Sequence, residues 1–417
     1  MRDFNARFIP LFFALLLMMP FFIPQANAQV PGCTDKLAVN FNANATFNDG
    51  SCAYSPALVN VSSQTTLPAI MKGTSGLIWM NDKWWTQNNF SDINLYAFNA
   101  DQVNQYESFP VKGTVNIDWE EIAQDESFLY IGDFGNNVNG NRKNLQILRV
   151  HKNTMSSSNW RVDTIQFSYE TQIDFNPTGA NNTNFDCEAF IVTEDSLYLF
   201  TKEWVSQECS IYRLPKTPGT YQAKFESKYD VEGLITGATY LPDSRLIALC
   251  GYSSTLQPFL YLLYDFPGKA FFKGNKRKLN LNLSFHQVEA IATRDGLNYF
   301  MTNEAFSQSI LNVPQKFHQF SLSTYLSHYL TSTKVREMPA QPNLRLFPVP
   351  AGREIYLSLP ASVRFLPFRI VDAQGRLRQE GYWKGNGMPI DIGDLPSGLY
   401  HISVGGNPSL SRQWLKQ

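Results

Sequence analysis

Three stretches of this chain repeat one acidic signature: "DWEEIAQDESFLYIGD" (118–133), "DCEAFIVTEDSLYLFTK" (186–202) and "QVEAIATRDGLNYFMTNE" (287–304). Each has a carboxylate, a short apolar run, a polar turn and a second β-rich run. Two weaker copies lack the acid: "SGLIWMNDKWWTQNN" (75–89) and "GATYLPDSRLIALCGY" (237–252). If the units are arranged in a ring, equivalent positions converge on the axis, and Glu120, Glu188 and Glu289 meet there with Asp118 and Asp186 beside them. Converging carboxylates either hold a cation, with Ca²⁺ the natural choice for hard oxygen donors, or raise one another's pKa. The alternative is that each glutamate accepts backbone hydrogen bonds from the neighbouring unit and latches the ring.

A second candidate is "GDFGNNVNGNR" (132–142), whose Asp133 and Arg142 flank an Asn/Gly-rich loop able to cradle an anion or a calcium ion, or simply to turn. There is no H-E-x-x-H, C-x-x-C, G-x-S-x-G or P-loop. The five histidines, His151, His286, His318, His328 and His401, are scattered, so no triad or zinc site is indicated and catalytic residues stay unassigned. Trp84, Trp85, Trp119 and Trp204 could stack on sugars, but inner-strand positions favour core packing.

The elements that must position these residues are short strands. Of 417 residues, 14% are aromatic, and 25 Gly and 23 Pro are spread along the chain, which suits strands joined by tight turns. A formal net charge of −1 argues against a nucleic-acid surface. Repeat anchors at Ser75, Glu120, Glu188, Gly237 and Glu289 recur about every 45 to 68 residues, the period of propeller blades. Asn81-Asp82, Asp195-Ser196, Asp243-Ser244 and Asp295-Gly296 supply hairpin turns, and "NLYAF", "LQILRV", "SIYRL", "FLYLLYDF" and "HQFSL" supply further strands. No long helical period appears. The expected fold is all-β: a five- or six-bladed β-propeller over 57–332, with two β-sandwiches as the alternative, followed by a small Ig-like β-sandwich.

Residues 1–28 read as a signal peptide: Arg2 and Arg7, a short apolar run, and Ala26-Asn27-Ala28 as an A-x-A cleavage site, so that the mature chain starts at Gln29. A membrane helix is the alternative, for which the run is short. No later segment suits a membrane span. Export permits disulfides. In 29–56, Cys33 and Cys52 bracket an Asn/Asp-rich loop whose closure is worth about 3 kcal/mol. Asp35, Asn40, Asn42, Asn48 and Asp49 could bind Ca²⁺ or form Asx turns. The stretch resembles the Cys-Thr-Asp…Asp-Gly-Ser-Cys module of secreted Bacteroidetes-type proteins. Cys187, Cys209 and Cys250 leave one odd thiol. Cys187 with Cys209 is a possible second bridge, but spacing alone does not establish it.

Beyond a linker at 333–343, residues 344–417 resemble the C-terminal sorting domain of type IX secretion. "LRLFPVPAGREIYLSLP" is similar to its opening, "FRIVDAQGRLRQEG" to its hairpin, "MPIDIGDLPSGLYHISV" to its Leu-Pro-Ser-Gly-Leu-Tyr stretch and "SRQWLKQ" to its basic last strand. Val349 and Gly352-Arg353 are minor departures. The resemblance implies an Ig-like sandwich, with a turn at Pro396, Ser397 and Gly398, read by the outer-membrane translocon and then usually removed. The destination would be the medium or the cell surface, via the periplasm. The body's Asp-x-Glu-Ala pattern resembles esterase-like phytase propellers, and its acid ring resembles the metal-bearing channels of gluconolactonase-like propellers. These features lead to a surface or secreted module binding a glycan, peptide or protein, with a calcium-dependent lactonase- or phosphoesterase-like hydrolase as the alternative.

Overall fold

The computed structural model describes residues 29–90, 92–336, 344–358, 366–385, 388–404 and 411–417. The expected signal peptide and residues 337–343 lie outside them.

Five four-stranded antiparallel units follow one another, beginning with the inner strands Thr74–Met80, Trp119–Gln124, Asp186–Val192, Leu234–Leu241 and Val288–Thr293. We number these blades 1 to 5. Middle strands such as Ser196–Lys202, Leu246–Tyr252 and Pro258–Tyr264 are buried along their whole length. Both of their faces are covered by neighbouring blades, so they read as continuous apolar runs rather than alternating ones. The outer strand Gly219–Asp230 instead alternates toward solvent.

The blades close into a ring. One apolar core fills each gap: Ile78, Trp119 and Ile122 between blades 1 and 2, Phe190 and Leu199 with Tyr130 between 2 and 3, and Ile235 and Leu249 with Phe200 between 3 and 4. Leu260 and Val288 pack between blades 4 and 5, and Trp84 and Phe317 between 5 and 1. The described ring therefore has five blades and no sixth.

Closure uses the N-terminal segment. Val61–Thr66 forms the outer strand of blade 5, antiparallel to Lys316–Ser321, and Leu58–Val59 adds to blade 4 beside Asn275–Leu281. Blades 2 and 3 are joined at the rim, where Val162–Tyr169 runs parallel to Gly219–Asp230. The hairpin turns suit their sequence: Asn81 and Asp82 have φ of 50° and 58°, a left-handed conformation that Asn and Asp tolerate.

One element departs from expectation. A helix, α1, spans Ser323–Arg336, across the start of the stretch read as linker. Leu326 and Leu330 bury against blades 4 and 5, so tertiary packing holds a segment with little helical signal of its own.

The C-terminal residues form two sheets. Arg345–Phe347, Glu354–Ser358 and Pro389–Asp391 make one, and Leu377–Trp383, Leu366–Asp372, Gly398–Val404 and Ser411–Lys416 make the other. Ile355, Leu357, Ile370, Trp383, Ile402 and Trp414 share a core drawn wholly from this region. Tyr400, Ile402 and Val404 are buried while Leu399 is exposed, as period-2 alternation requires. Gly398 opens its strand without a left-handed φ, and an added Cβ would meet only Tyr400 at 3.8 Å. The turn at Pro396, Ser397 and Gly398 therefore does not require a glycine, and the Tyr400 hydroxyl holds the segment by donating to the Pro396 carbonyl.

Candidate functional site

Every inner strand carries a β-bulge at the same level, seen as register shifts between Thr74 and Leu77, opposite Gly132/Asp133, and between Cys187/Ala189, Ile235/Gly237 and Val288/Ala290. A bulge inserts a residue and re-aims its side chain. The bulged residues are Glu120, Glu188 and Glu289 in blades 2, 3 and 5, and by the same register Ser75 and Thr236 in blades 1 and 4. The sequence anchor Ser75 thus falls at the bulge, whereas Gly237 lies one residue past it, because that copy lacks the acid that marks the bulge.

The glutamates do converge. Glu120, Glu188 and Glu289 are 3%, 2% and 4% exposed, Asp186 is fully buried, and Asp118 is half-buried. Lys202, at the end of the second strand of blade 3, lies among them and donates to both Glu188 oxygens at 2.7 Å. Its ammonium also lies over the Trp204 and Tyr252 rings, at 4.7 and 5.1 Å. The matching slot of blade 5 holds Glu304, whose Oε2 accepts from Asn89 Nδ2 at 3.3 Å. Ser75 at the bulge position of blade 1 donates its hydroxyl to the Glu120 carbonyl, and beside it a Cβ on Gly76 would sit 2.8 Å from Gln87 Nε2. Both polar atoms of Gln87, together with Glu289 Oε2 and Asn89 Oδ1, are buried without a hydrogen-bond partner.

Burial and mutual repulsion make these acids weak. Burial and the Asp186 charge push Asp118 up to about 6, against the pull of Arg142. Burial and Glu188 push Asp186 up to about 7, although its oxygens accept from Asn136 N at 2.6 Å and Trp204 Nε1 at 2.8 Å. Glu120 and Glu289 are raised well above the usual range, chiefly by burial. Burial likewise raises Glu188, and Lys202 pulls it back. Burial opposes the Lys202 charge, but Glu188 outweighs it and holds the ammonium well above its ordinary value. Asp118 and Asp186 are therefore the members of the cluster whose charge changes nearest neutrality.

Below this level, Glu121 closes the axis. Its Oε1 accepts from Ile122 N at 2.9 Å, and its Oε2 from Ala238 N of blade 4 at 2.8 Å. Burial raises its pKa and these amides resist.

The 132–142 loop serves the cluster as a support. Arg142 Nη2 donates to Asp133 Oδ1 at 2.9 Å and its Nη1 to the Gly135 carbonyl, while Asp133 also accepts from Asp118 N and Gln146 Nε2. A Cβ at Gly135 would lie 2.3 Å from Asp118 Oδ2 and 2.4 Å from Glu120 Oε1, so only glycine lets the loop press onto these carboxyls.

In the N-terminal module Cys33 and Cys52 are disulfide-bonded. Asp35 accepts from Leu37 N and from the Tyr54 and Tyr264 hydroxyls, Asn40 from Ala53 N, Asn42 from Asn44 N, and Asp49 from Ser51 N. Their oxygens thus serve turns and the contact with blade 4. Among the described residues no group of three or more His, Cys, Asp or Glu side chains is arranged to hold a metal ion. The possible Cys187–Cys209 bridge is corrected: both are free buried thiols, on strands separated by Ser196–Lys202. Two interstrand spacings, about 9 to 10 Å, are too far for a disulfide.

Lys202, Glu304, Glu121 and Gln87 were missed in the sequence. A signal was available for Glu121, the one acid where the other two acidic copies have Ala189 and Ala290; Lys202 and Glu304 close the second runs of two copies, but their opposite charges hide that they share one slot.

The fold defines an all-β propeller with a trailing β-sandwich. No family model matches the chain, and no curated protein matches it. Among solved structures it is similar to PorZ, described as an essential surface component of the type-IX secretion system of Porphyromonas gingivalis, with 11% identity over 82% of this chain and a TM-score of 0.30. The chain covers 45% of that structure, less than half its length. It is also similar to an exo-beta-1,3-galactanase from Phanerochaete chrysosporium, with 10% identity over 85% of this chain and 99% of the other and a TM-score of 0.38. A third is the alpha-L-arabinofuranosidase PaAbf62A from Podospora anserina, with 8% identity over 63% of this chain and 95% of the other and a TM-score of 0.37. None of these likenesses assigns an activity to this chain.

Proposed function

We propose that the chain is an extracellular β-propeller binding module that presents a propeller face to a glycan, peptide or protein, and that residues 344–417 direct its export through a type IX translocon. The observation that carries the reading is the closed axis. A hydrolase needs a reacting group open to substrate, whereas Lys202 and Glu188 neutralise each other among the buried carboxyls and Glu121 seals the channel beneath them. Export is supported by the disulfide, which persists in oxidising compartments, and by the sorting-domain motifs. No described helix is long and apolar enough to cross a membrane.

The second reading, a calcium-dependent lactonase- or phosphoesterase-like hydrolase, draws on the unpartnered Glu289 Oε2 and the half-buried Asp118. With Lys202 on Glu188, Asp118, Glu120 and Glu289 would be the remaining donors to a cation. The test is to incubate the chain from Gln29 onward with nitrophenyl phosphates, esters and a panel of lactones, with and without calcium. No turnover above buffer is expected. Calcium-dependent turnover that Glu120→Gln abolishes would overturn the binding reading.

A further inference from the structure

On the far side of Glu121 the same five inner strands open into a funnel of about 440 Å³, within the range that holds small-molecule ligands. Each inner strand ends its sheet, so one edge of its backbone is unpaired, and those edges bound the axis. Unpaired edges offer N–H and C=O groups to any chain or ligand that can pair with them. The protein shows which ligand group they accept. At the funnel floor the Glu121 carboxylate takes the amides of Ile122 and Ala238, residues that also line the funnel, from blades 2 and 4. One ring further out, the Gln124 amide donates to the Trp79 carbonyl of the adjacent blade at 2.8 Å.

The mouth adds a charge. Arg294 is the one charged side chain in the lining, and its guanidinium lies over the half-buried Trp79 ring at 4.2 Å. No carboxylate of the described residues pairs with it. Tyr240 stands on the lining as a second half-buried aromatic. A guanidinium stacked on Trp79, beside amide edges and a second aromatic ring, matches a carboxylate attached to an amide-bearing, partly apolar body.

We propose that this funnel is a ligand site for a small organic carboxylate of peptide type, the free C-terminal end of a short polypeptide, with its carboxylate on Arg294 and its amides on the strand edges. The proposal rests on the binding-module reading but uses the face opposite the acid cluster. It is tested by titration calorimetry of the chain from Gln29 onward with acetyl-Ala-Phe-Ala as the free acid and as its C-terminal amide. The free acid should bind at least about tenfold more tightly, a difference of about 1.4 kcal/mol. Arg294→Gln, at an exposed position, should bring the acid down to the affinity of the amide. Equal affinity of the two peptides, no effect of Arg294→Gln, or no heat from either would each overturn the site. Failure of the binding reading would show itself separately, as turnover in the hydrolase panel.

Discussion

Lys202 supplies the positive charge beside Glu188 in the buried carboxyl cluster, and it is covalently part of the chain. Its side chain and that of Glu188 are 4% and 3% exposed. Removing one partner of so buried a pair strands the other charge, which typically costs about 3–5 kcal/mol. Lys202→Met should therefore lower the unfolding free energy by about that amount in denaturant titration, and adding Glu188→Gln should restore part of it. A loss under about 1 kcal/mol would mean that water reaches the pair. Asp186 gives a pH signature. Folded, it keeps its proton to about pH 7, chiefly because it is buried, whereas unfolded it ionises at its model value of 3.8. The folded state therefore binds the extra proton between these values, so this group's contribution to stability is greatest below about pH 4, falls as pH rises, and levels off above about 7. The stability of the parent minus that of Asp186→Asn should decline across that window. A flat difference would place Asp186 in a solvated setting. Glu120, Glu188 and Glu289 could be read from sequence because they recur at the same place in one repeated motif. Lys202 could not, because it occurs in one copy and its partner is found only across a bulge.

At the scale of the element, the bulge decides what the axis contains. Strand alternation alone would not turn five equivalent residues toward one point, and a bulge leaves no signature in composition, which is why the acid-free copy anchored at Gly237 was placed one residue off. The hairpins were legible because Asn81-Asp82 and Asp295-Gly296 meet a steric requirement. The closing strand was not, since Val61–Thr66 pairs with Lys316–Ser321 from the other end of the body and no local pattern announces such a partner. The segment before it is stapled by Cys33–Cys52 and held on blade 4 by Asp35 on Tyr264 and Asn48 on Asp265 and Asn275. Replacing both cysteines with serine should cost about 3 kcal/mol through loop entropy. Because the module abuts the closing strand, hydrogen exchange should rise in Val61–Thr66 before it rises in blades 2 and 3. Unchanged exchange there would separate the module from ring closure.

For the whole molecule, the separate core of the C-terminal sheets indicates that the propeller does not depend on them for burial. Deleting residues 344–417 should leave the melting transition of the propeller in place and retain the protein in the periplasm of a host with type IX secretion. Recovery outside the cell at normal yield would make the region an ordinary structural domain. The ring itself was legible in outline from its repeats. Its exact count of five was settled by packing, since the core between blades 5 and 1 joins Trp84 to Phe317 and leaves no gap for another blade. The central claim is that the chain closes its own axis with Lys202 and Glu121 and does not use calcium there. Its most direct test is thermal melting of the chain from Gln29 onward in excess calcium and in EDTA, for the parent and for Glu289→Gln. Within each protein the two melting temperatures should coincide. A calcium-induced rise in the parent that Glu289→Gln abolishes would contradict the claim and place a metal at the axis.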